Sequence, residues 1–185
     1  MSRKPSLLLH GCCAPCTTHP VRMLSESYRV MVFFYNPNIQ PEEEHRARLN
    51  EMIALSEKWK FPLLQNAADF DRWNRAIKNH EQDSEGGERC VICYRLRLEQ
   101  TAITAARKGM DAFSTTLTIS PHKKASLIHP IGMDLAGRYG VEFLALDFKK
   151  KDGFKISCAI SREEGLYRQN YCGCLYSRRD AGKET

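Results

Sequence analysis

Short apolar runs alternate with longer amphipathic stretches along the chain. Ser6 to His10, with Leu7, Leu8 and Leu9 in succession, reads as a short buried strand. Thr17 and Thr18 are cap-type residues, and a helix to about Ser27 is expected after them. Val30 to Tyr35 is the clearest strand, an unbroken apolar run rich in β-branched and aromatic side chains, and Asn36-Pro37-Asn38 ends it. Leu49, Ile53, Leu55 and Trp59 give an apolar side to a long helix from Glu42 to Lys60. A third strand is expected at Phe61 to Gln65, a helix around Arg72 to Lys78, and a polar loop from His80 to Arg89 carrying Gly86-Gly87. From Cys90 a Leu- and Ala-rich helix runs to about Lys108, where Gly109 stops it. Ala112 to Thr116 and Glu142 to Leu146 supply the fourth and fifth strands. The helical stretch between them starts at Ser120-Pro121, and Pro130 is expected to mark a break or a first turn. A turn then spans Lys149 to Gly153, a short helix begins near Arg162, and Tyr171 to Thr185 shows no clear periodicity.

Strands that alternate with helices in this way predict one α/β domain over residues 1–185. Its core is a parallel, roughly five-stranded sheet flanked by helices. In such sheets ligands bind at the carboxyl ends of the strands. Cys12, Cys13 and Asp69 all follow expected strands and are therefore expected at one edge. The layout is that of a nucleotide-hydrolase-like Rossmannoid fold, but without a phosphate loop. Gly11-Cys12-Cys13-Ala14-Pro15 offers one glycine and a proline that lacks a donor N–H.

Composition narrows the class. A hydrophobic share of 42% with 27% charged residues is that of a globular domain. No apolar run approaches the roughly 20 residues that cross a bilayer, and Leu7 to Leu9 is too short for a signal-peptide core, so a cytoplasmic location is expected. Net charge is +6, and it is uneven: from Lys149 onward nine Lys/Arg face five Asp/Glu. This basic, cysteine-containing C-terminal segment, 149–185, suits a phosphate-rich partner; the plain alternative is a solvated charged tail.

Eight cysteines change the picture further. In a reducing compartment they point to metal binding, redox chemistry or catalysis rather than to disulfides. They fall into the pairs Cys12-Cys13, Cys90-Val91-Ile92-Cys93 and Cys172-Gly173-Cys174, with Cys16 extending the first and Cys158 alone. A two-residue gap lets two thiolates face one metal, as in zinc and iron–sulfur sites. At the start of a helix, with Arg89, Arg95 and Arg97 nearby, Cys90 and Cys93 are expected to favour the thiolate; two core cysteines one turn apart are the alternative. Cys172 and Cys174 suit either metal ligation or a dithiol–disulfide cycle. Cys158, between Ile156 and Ile160, is expected in the core. The paired cysteines exceed the needs of one tetrahedral site, so either two are redox-active or there is a second metal. Asp69 is a candidate ligand for a second iron, with a helix cap as its alternative role. His10 is placed to tune the first cluster.

With these residues in view, the chain resembles the cobalamin-independent epoxyqueuosine reductases from Leu7 to Ser177. The resemblance rests on LLHGCCAPC at 8–16, FFYNPNI at 33–39, GGERCVIC at 86–93, TTLTISPHK at 115–123, DFKKKDGFK at 147–155 and YRQNYCGC at 167–174. It implies reduction of epoxyqueuosine to queuosine at the wobble position of tRNA, a two-electron deoxygenation of an epoxide. It also implies a [4Fe-4S] cluster on Cys12, Cys13, Cys90 and Cys93, with Cys172 and Cys174 as a redox pair or as ligands of an additional mononuclear iron. An electron donor is required. Tyr35, Phe154, Tyr167 and Tyr171 are candidate platforms for an unstacked base, and Lys149, Lys150, Lys151, Arg178 and Arg179 are candidates for phosphate.

Two other classes compete. A thioredoxin-like thiol–disulfide oxidoreductase would use Cys13 and Cys16 and leave the other pairs unexplained. A zinc-stabilised RNA-binding module would hold zinc and turn nothing over, yet the five-strand pattern already supplies a core without it.

Overall fold

A computed structural model describes residues 3–181. The strands are β1 (Ser6–His10), β2 (Arg29–Phe34), β3 (Leu63–Gln65), β4 (Ala112–Thr115) and β5 (Glu142–Phe143). They form one sheet in the order β3-β2-β1-β4-β5, and every pairing is parallel. The expected five-stranded parallel sheet is therefore observed. Every residue of β1 is buried, as befits a central strand covered on both faces. Leu7 and Leu9 pack on one face with Val32 and Phe34; Leu8 packs on the other with Phe33 and Phe113. The strand order reverses between β1 and β4, which is where open α/β sheets hold their ligands.

The helices are α1 (Ala14–Ser25), α2 (Glu42–Trp59), α3 (Phe70–Ala76), α4 (Glu88–Arg107), α5 (Ala125–Tyr139), α6 (Gly153–Glu163) and α7 (Leu175–Ala181). Several boundaries differ from the expectation. α1 starts at Ala14, so Thr17 and Thr18 lie inside it, and their hydroxyls bond back to the Cys13 and Pro15 carbonyls at 2.8 and 2.9 Å. Pro15 is tolerated there because first-turn N–H groups have no intrahelical acceptor. Pro130 sits inside an unbroken α5. α6 ends near Arg162 rather than starting there, which puts Cys158 on a helix; it is half-buried and outside the core. The aperiodic C-terminal stretch contains α7, and residues 182–185 lie outside the described residues.

β5 is only two residues long because the chain then leaves the ladder. Ser114 and Thr118 hydroxyls donate to the Leu144 and Leu146 carbonyls at 2.9 and 2.8 Å, replacing strand partners. Among the described residues no helix is long and apolar enough to cross a membrane.

Candidate metal centre

The first bank of thiols is built by the β1–α1 junction. Gly11 ends β1 where its neighbours leave no room: a Cβ there would lie 2.9 Å from Val32 Cγ1 and 3.0 Å from Met52 Cε. Cys13 is the N-cap of α1 and Cys16 is its third helical residue. An N-cap and the third helical position lie side by side, the geometry that capping boxes use. The early start of α1 therefore turns Cys16 toward Cys13. Among the described residues, the sulfurs of Cys12, Cys13 and Cys16 form the group lying within 4.8 Å of one another. The family resemblance left Cys16 without a role, and only the thioredoxin-like alternative used it; the signal that would have joined it to this bank is Pro15 near the helix start. The 3₁₀ turn after β4, Thr116–Ile119, adds Thr116, whose hydroxyl accepts from the Cys12 amide at 3.2 Å and donates to Cys12 Sγ at 3.4 Å. The bank thus sits at the β1/β4 reversal.

The second bank lies on α4 and the C-terminal loop. Cys90, Cys93 and Arg97 follow one another at spacings of three and four and so share a face of α4. The Gly86 amide donates to Cys90 Sγ at 3.2 Å. Cys93 packs with Cys174, Trp73 and Ile77. Arg48 of α2 pulls the C-terminal loop inward: its guanidinium donates to the Cys172 carbonyl at 3.0 Å and the Tyr171 carbonyl at 3.4 Å, and pairs with Glu44 at 2.7 Å. Ser177 holds Cys174, its amide donating to Cys174 Sγ at 3.3 Å. Nothing in the sequence singled out Arg48.

Electrostatics differentiate the thiols. Hydrogen bonding with Cys13 and Cys16 holds the Cys12 thiol well below its usual range. The same sharing pushes Cys13 up to about 12. Burial raises Cys90 and pushes Cys93 up to about 11. The preference for thiolate expected for this pair from the helix start is therefore outweighed by desolvation. Of the three nearby arginines, only Arg97 reaches sulfur, with Nη1 3.9 Å from Cys93 Sγ. Arg89 instead ties down the loop carbonyls of Glu81 and Asp83. Arg95 makes an exposed ion pair with Asp134.

His10 is fully buried, with Nε2 3.2 Å from the Tyr35 carbonyl and Nδ1 2.9 Å from Thr115 Oγ1. A carbonyl only accepts, so Nε2 carries the proton and the Thr115 hydroxyl donates to Nδ1. Burial and then the Arg97 charge lower its pKa to about 3, so the ring stays neutral beside Cys12. Asp69 caps α3, its carboxylate accepting from the Arg72 amide at 2.9 Å.

Of the candidate base platforms, Tyr35 belongs to the core. Tyr167 is 45% exposed. With Tyr171, Asn170, Glu43, Glu44 and Arg178 it lines a cleft of about 780 Å³ beside the loop that carries Cys172. Lys149 is paired with Asp147 at 2.7 Å, whereas Lys150, Lys151 and Arg178 are exposed.

The donors fit an iron–sulfur cluster. All eight cysteines are free thiols, soft ligands suited to iron–sulfur clusters or zinc. Two buried cations, Arg97 and Lys123, lie within electrostatic reach of cysteines of both banks and can offset the charge of a thiolate-bound centre.

Comparison with known proteins agrees with this layout. A structural likeness that concerns the fold alone is found to the U34-tRNA thiolase NcsA from Methanococcus maripaludis, solved with its [4Fe-4S] cluster. The TM-score is 0.60 at 11% identity, covering 100% of this chain and 66% of that one. A predicted subunit of tRNA methyltransferase from Methanocaldococcus jannaschii gives a TM-score of 0.57 at 12% identity, covering 90% and 93%. In sequence, the chain is 36% identical over 187 residues to the epoxyqueuosine reductase QueH of Streptococcus pyogenes serotype M1, covering 98% of this chain and 73% of that protein. It is 41% identical over 174 residues to the QueH of Dehalococcoides mccartyi, covering 94% and 92%. The family model of epoxyqueuosine reductase QueH matches residues 7–180. The chain belongs to the epoxyqueuosine reductase QueH family.

Proposed function

We propose that this protein reduces epoxyqueuosine to queuosine at the wobble position of tRNA, in the cytoplasm. Two electrons and two protons enter, both epoxide C–O bonds break, an alkene forms and the oxygen leaves as water. The observation that carries the reading is the group of three sulfurs, Cys12, Cys13 and Cys16, at the β1/β4 reversal in a member of this family. Residues 1–185 act as one iron–sulfur domain whose basic segment, 149–185, supplies both Cys172 and Cys174 and the phosphate-facing cations.

In this reading Cys12, Cys13, Cys90 and Cys93 hold a [4Fe-4S] cluster, and Cys16, beside the first two, is a further candidate. Cys172 and Cys174 are a redox pair or, with Asp69, ligands of a mononuclear iron. What such a centre supplies when bound is electrons and Lewis acidity toward the epoxide oxygen. The chain does the rest. Thr116 and the neutral His10 hold the first bank in place. Arg48 fixes the cysteine loop, and the Tyr167–Tyr171 cleft admits an unstacked base. Exposed Lys150, Lys151 and Arg178 meet phosphates, which makes tRNA affinity fall with salt. An external electron donor completes the reaction.

The test is anaerobic. Protein reconstituted with iron and sulfide receives a reductant and tRNA carrying epoxyqueuosine, and the nucleosides are then weighed by mass spectrometry. Loss of one oxygen, dependent on iron, is expected. Iron binding without conversion would reject the substrate; tight zinc without iron uptake would favour the structural-zinc reading.

A further inference from the structure

Arg97 and Lys123 are buried at 1% and 9% exposure. Among the described residues, no carboxylate lies within ion-pairing distance of either. A buried cation without an anion is among the costliest features a fold can carry. What Arg97 faces is sulfur.

Arg97 is held rigidly. Its Nη2 donates to Asn36 Oδ1 at 2.6 Å, and Nη1 lies 3.9 Å from Cys93 Sγ. The Asn36 amide in turn donates to the Gly11 carbonyl at 2.9 Å, one residue before Cys12. One guanidinium thus links the α4 bank to the β1 bank, and its Nε has no acceptor of its own. Lys123 follows the 3₁₀ turn after β4. Its backbone is pinned by Lys149 Nζ, which donates to its carbonyl at 3.2 Å. Lys123 is buried where a negative charge on Cys172 or Cys12 would act directly on its ammonium. Both cations lie within electrostatic reach of Cys12 and Cys172.

We infer that Arg97 and Lys123 are the fixed counter-charges of the thiolate-bound iron–sulfur centre and set its reduction potential. This rests on the iron–sulfur reading above. A cubane core with two positive charges, bound by four thiolates, carries two negative charges in its oxidised state and three when reduced. Two buried cations balance the first state and favour the second, so they raise the potential. They make the centre easier to charge from an outside donor and leave the exposed basic residues for the tRNA.

The experiment is a redox titration of reconstituted protein followed by electron paramagnetic resonance, with iron and sulfide counted first. Lys123→Met and Arg97→Met remove charge at similar volume; Lys123→Arg and Arg97→Lys keep it. Each neutral variant is expected to lower the reduced-to-oxidised ratio at fixed donor potential by at least tenfold, equivalent to ~59 mV for a one-electron couple. The charge-keeping variants are expected within a few-fold of the native ratio. Neutral variants that lose the cluster, while charge-keeping ones hold it, would equally support counter-charge. Neutral variants with a full cluster and the native potential overturn the inference, as does loss of the cluster in neutral and charge-keeping variants alike. Native protein that takes up no iron and sulfide would sink the iron–sulfur reading itself, and the metal count reveals that before any variant is made.

Discussion

Replacing Gly173 by alanine tests whether the backbone between Cys172 and Cys174 sets the position of that pair. Gly173 has φ +140°, a conformation that L side chains rarely adopt. Forcing alanine into it costs on the order of 1–3 kcal/mol. The new methyl would also lie 3.0 Å from Ile39 Cγ1, 3.2 Å from Arg48 Nη1 and 3.3 Å from Asn38 Nδ2. These neighbours are buried, and Arg48 is committed to the Cys172 carbonyl, so overpacking adds about 1–3 kcal/mol more. The segment has two ways to relieve this. If it stays docked, the whole domain is destabilised, and for a chain of this size each kcal/mol lowers Tm by roughly 2–4 °C. If it detaches, Tm falls little, but the Gln40 amide loses the Gly173 carbonyl at 2.8 Å and both thiols leave the site. In either case epoxyqueuosine turnover is expected to fall at least tenfold. Calorimetry, iron content and turnover, measured on the same preparation, distinguish the two routes. Native Tm together with native turnover would refute the argument.

The other expectations concern single side chains. Cys12→Ser is expected to reduce bound iron sharply, whereas Cys158→Ser, on half-buried α6, should keep both iron and turnover; equal iron loss would place Cys158 in the site. For Asp69, asparagine keeps the α3 cap and alanine removes it at about 0.5–2 kcal/mol. Native iron content and turnover in Asp69→Asn would leave the cap as its role, while loss of one iron per chain would assign it as a ligand. Asp111 accepts from the Ser6 hydroxyl and amide, both at 2.7 Å, and these bonds hold its carboxyl below the ordinary value. A depressed carboxyl stabilises the fold above its unfolded-state pKa, near 3.9, and that contribution disappears as pH falls through the folded-state value. Asp111→Ala should therefore lower the urea midpoint at pH 7, and the gap to native protein should close toward pH 3; a gap that widens in acid would show the linkage to be wrong.

The order of strands and helices was readable from the chain because β1 and β2 are covered on both faces. Central parallel strands appear as unbroken apolar runs such as Leu7-Leu8-Leu9 and Val30 to Tyr35. The cysteine pairs were readable for a similar reason: thiols close in sequence stay close in space. So was the one-turn spacing of Cys90 and Cys93, whereas which of Arg89, Arg95 and Arg97 reaches sulfur was not. Tertiary structure decided what lies between distant segments. Cys16 joined its bank because α1 begins earlier than its threonines suggested. Lys123 and Arg97 became two buried cations without carboxylate partners among the described residues only because β4 and α4 both lie against β1. Arg48 turned a charged position on a surface-looking helix into the clamp on the Cys172 loop. Sequence pattern reports the surroundings of a residue within its own element, whereas desolvation and long-range charge depend on which elements pack together. The chain therefore announced its thiols and its sheet, and only the fold determined which thiol is shifted down and which buried cations lie within reach of it.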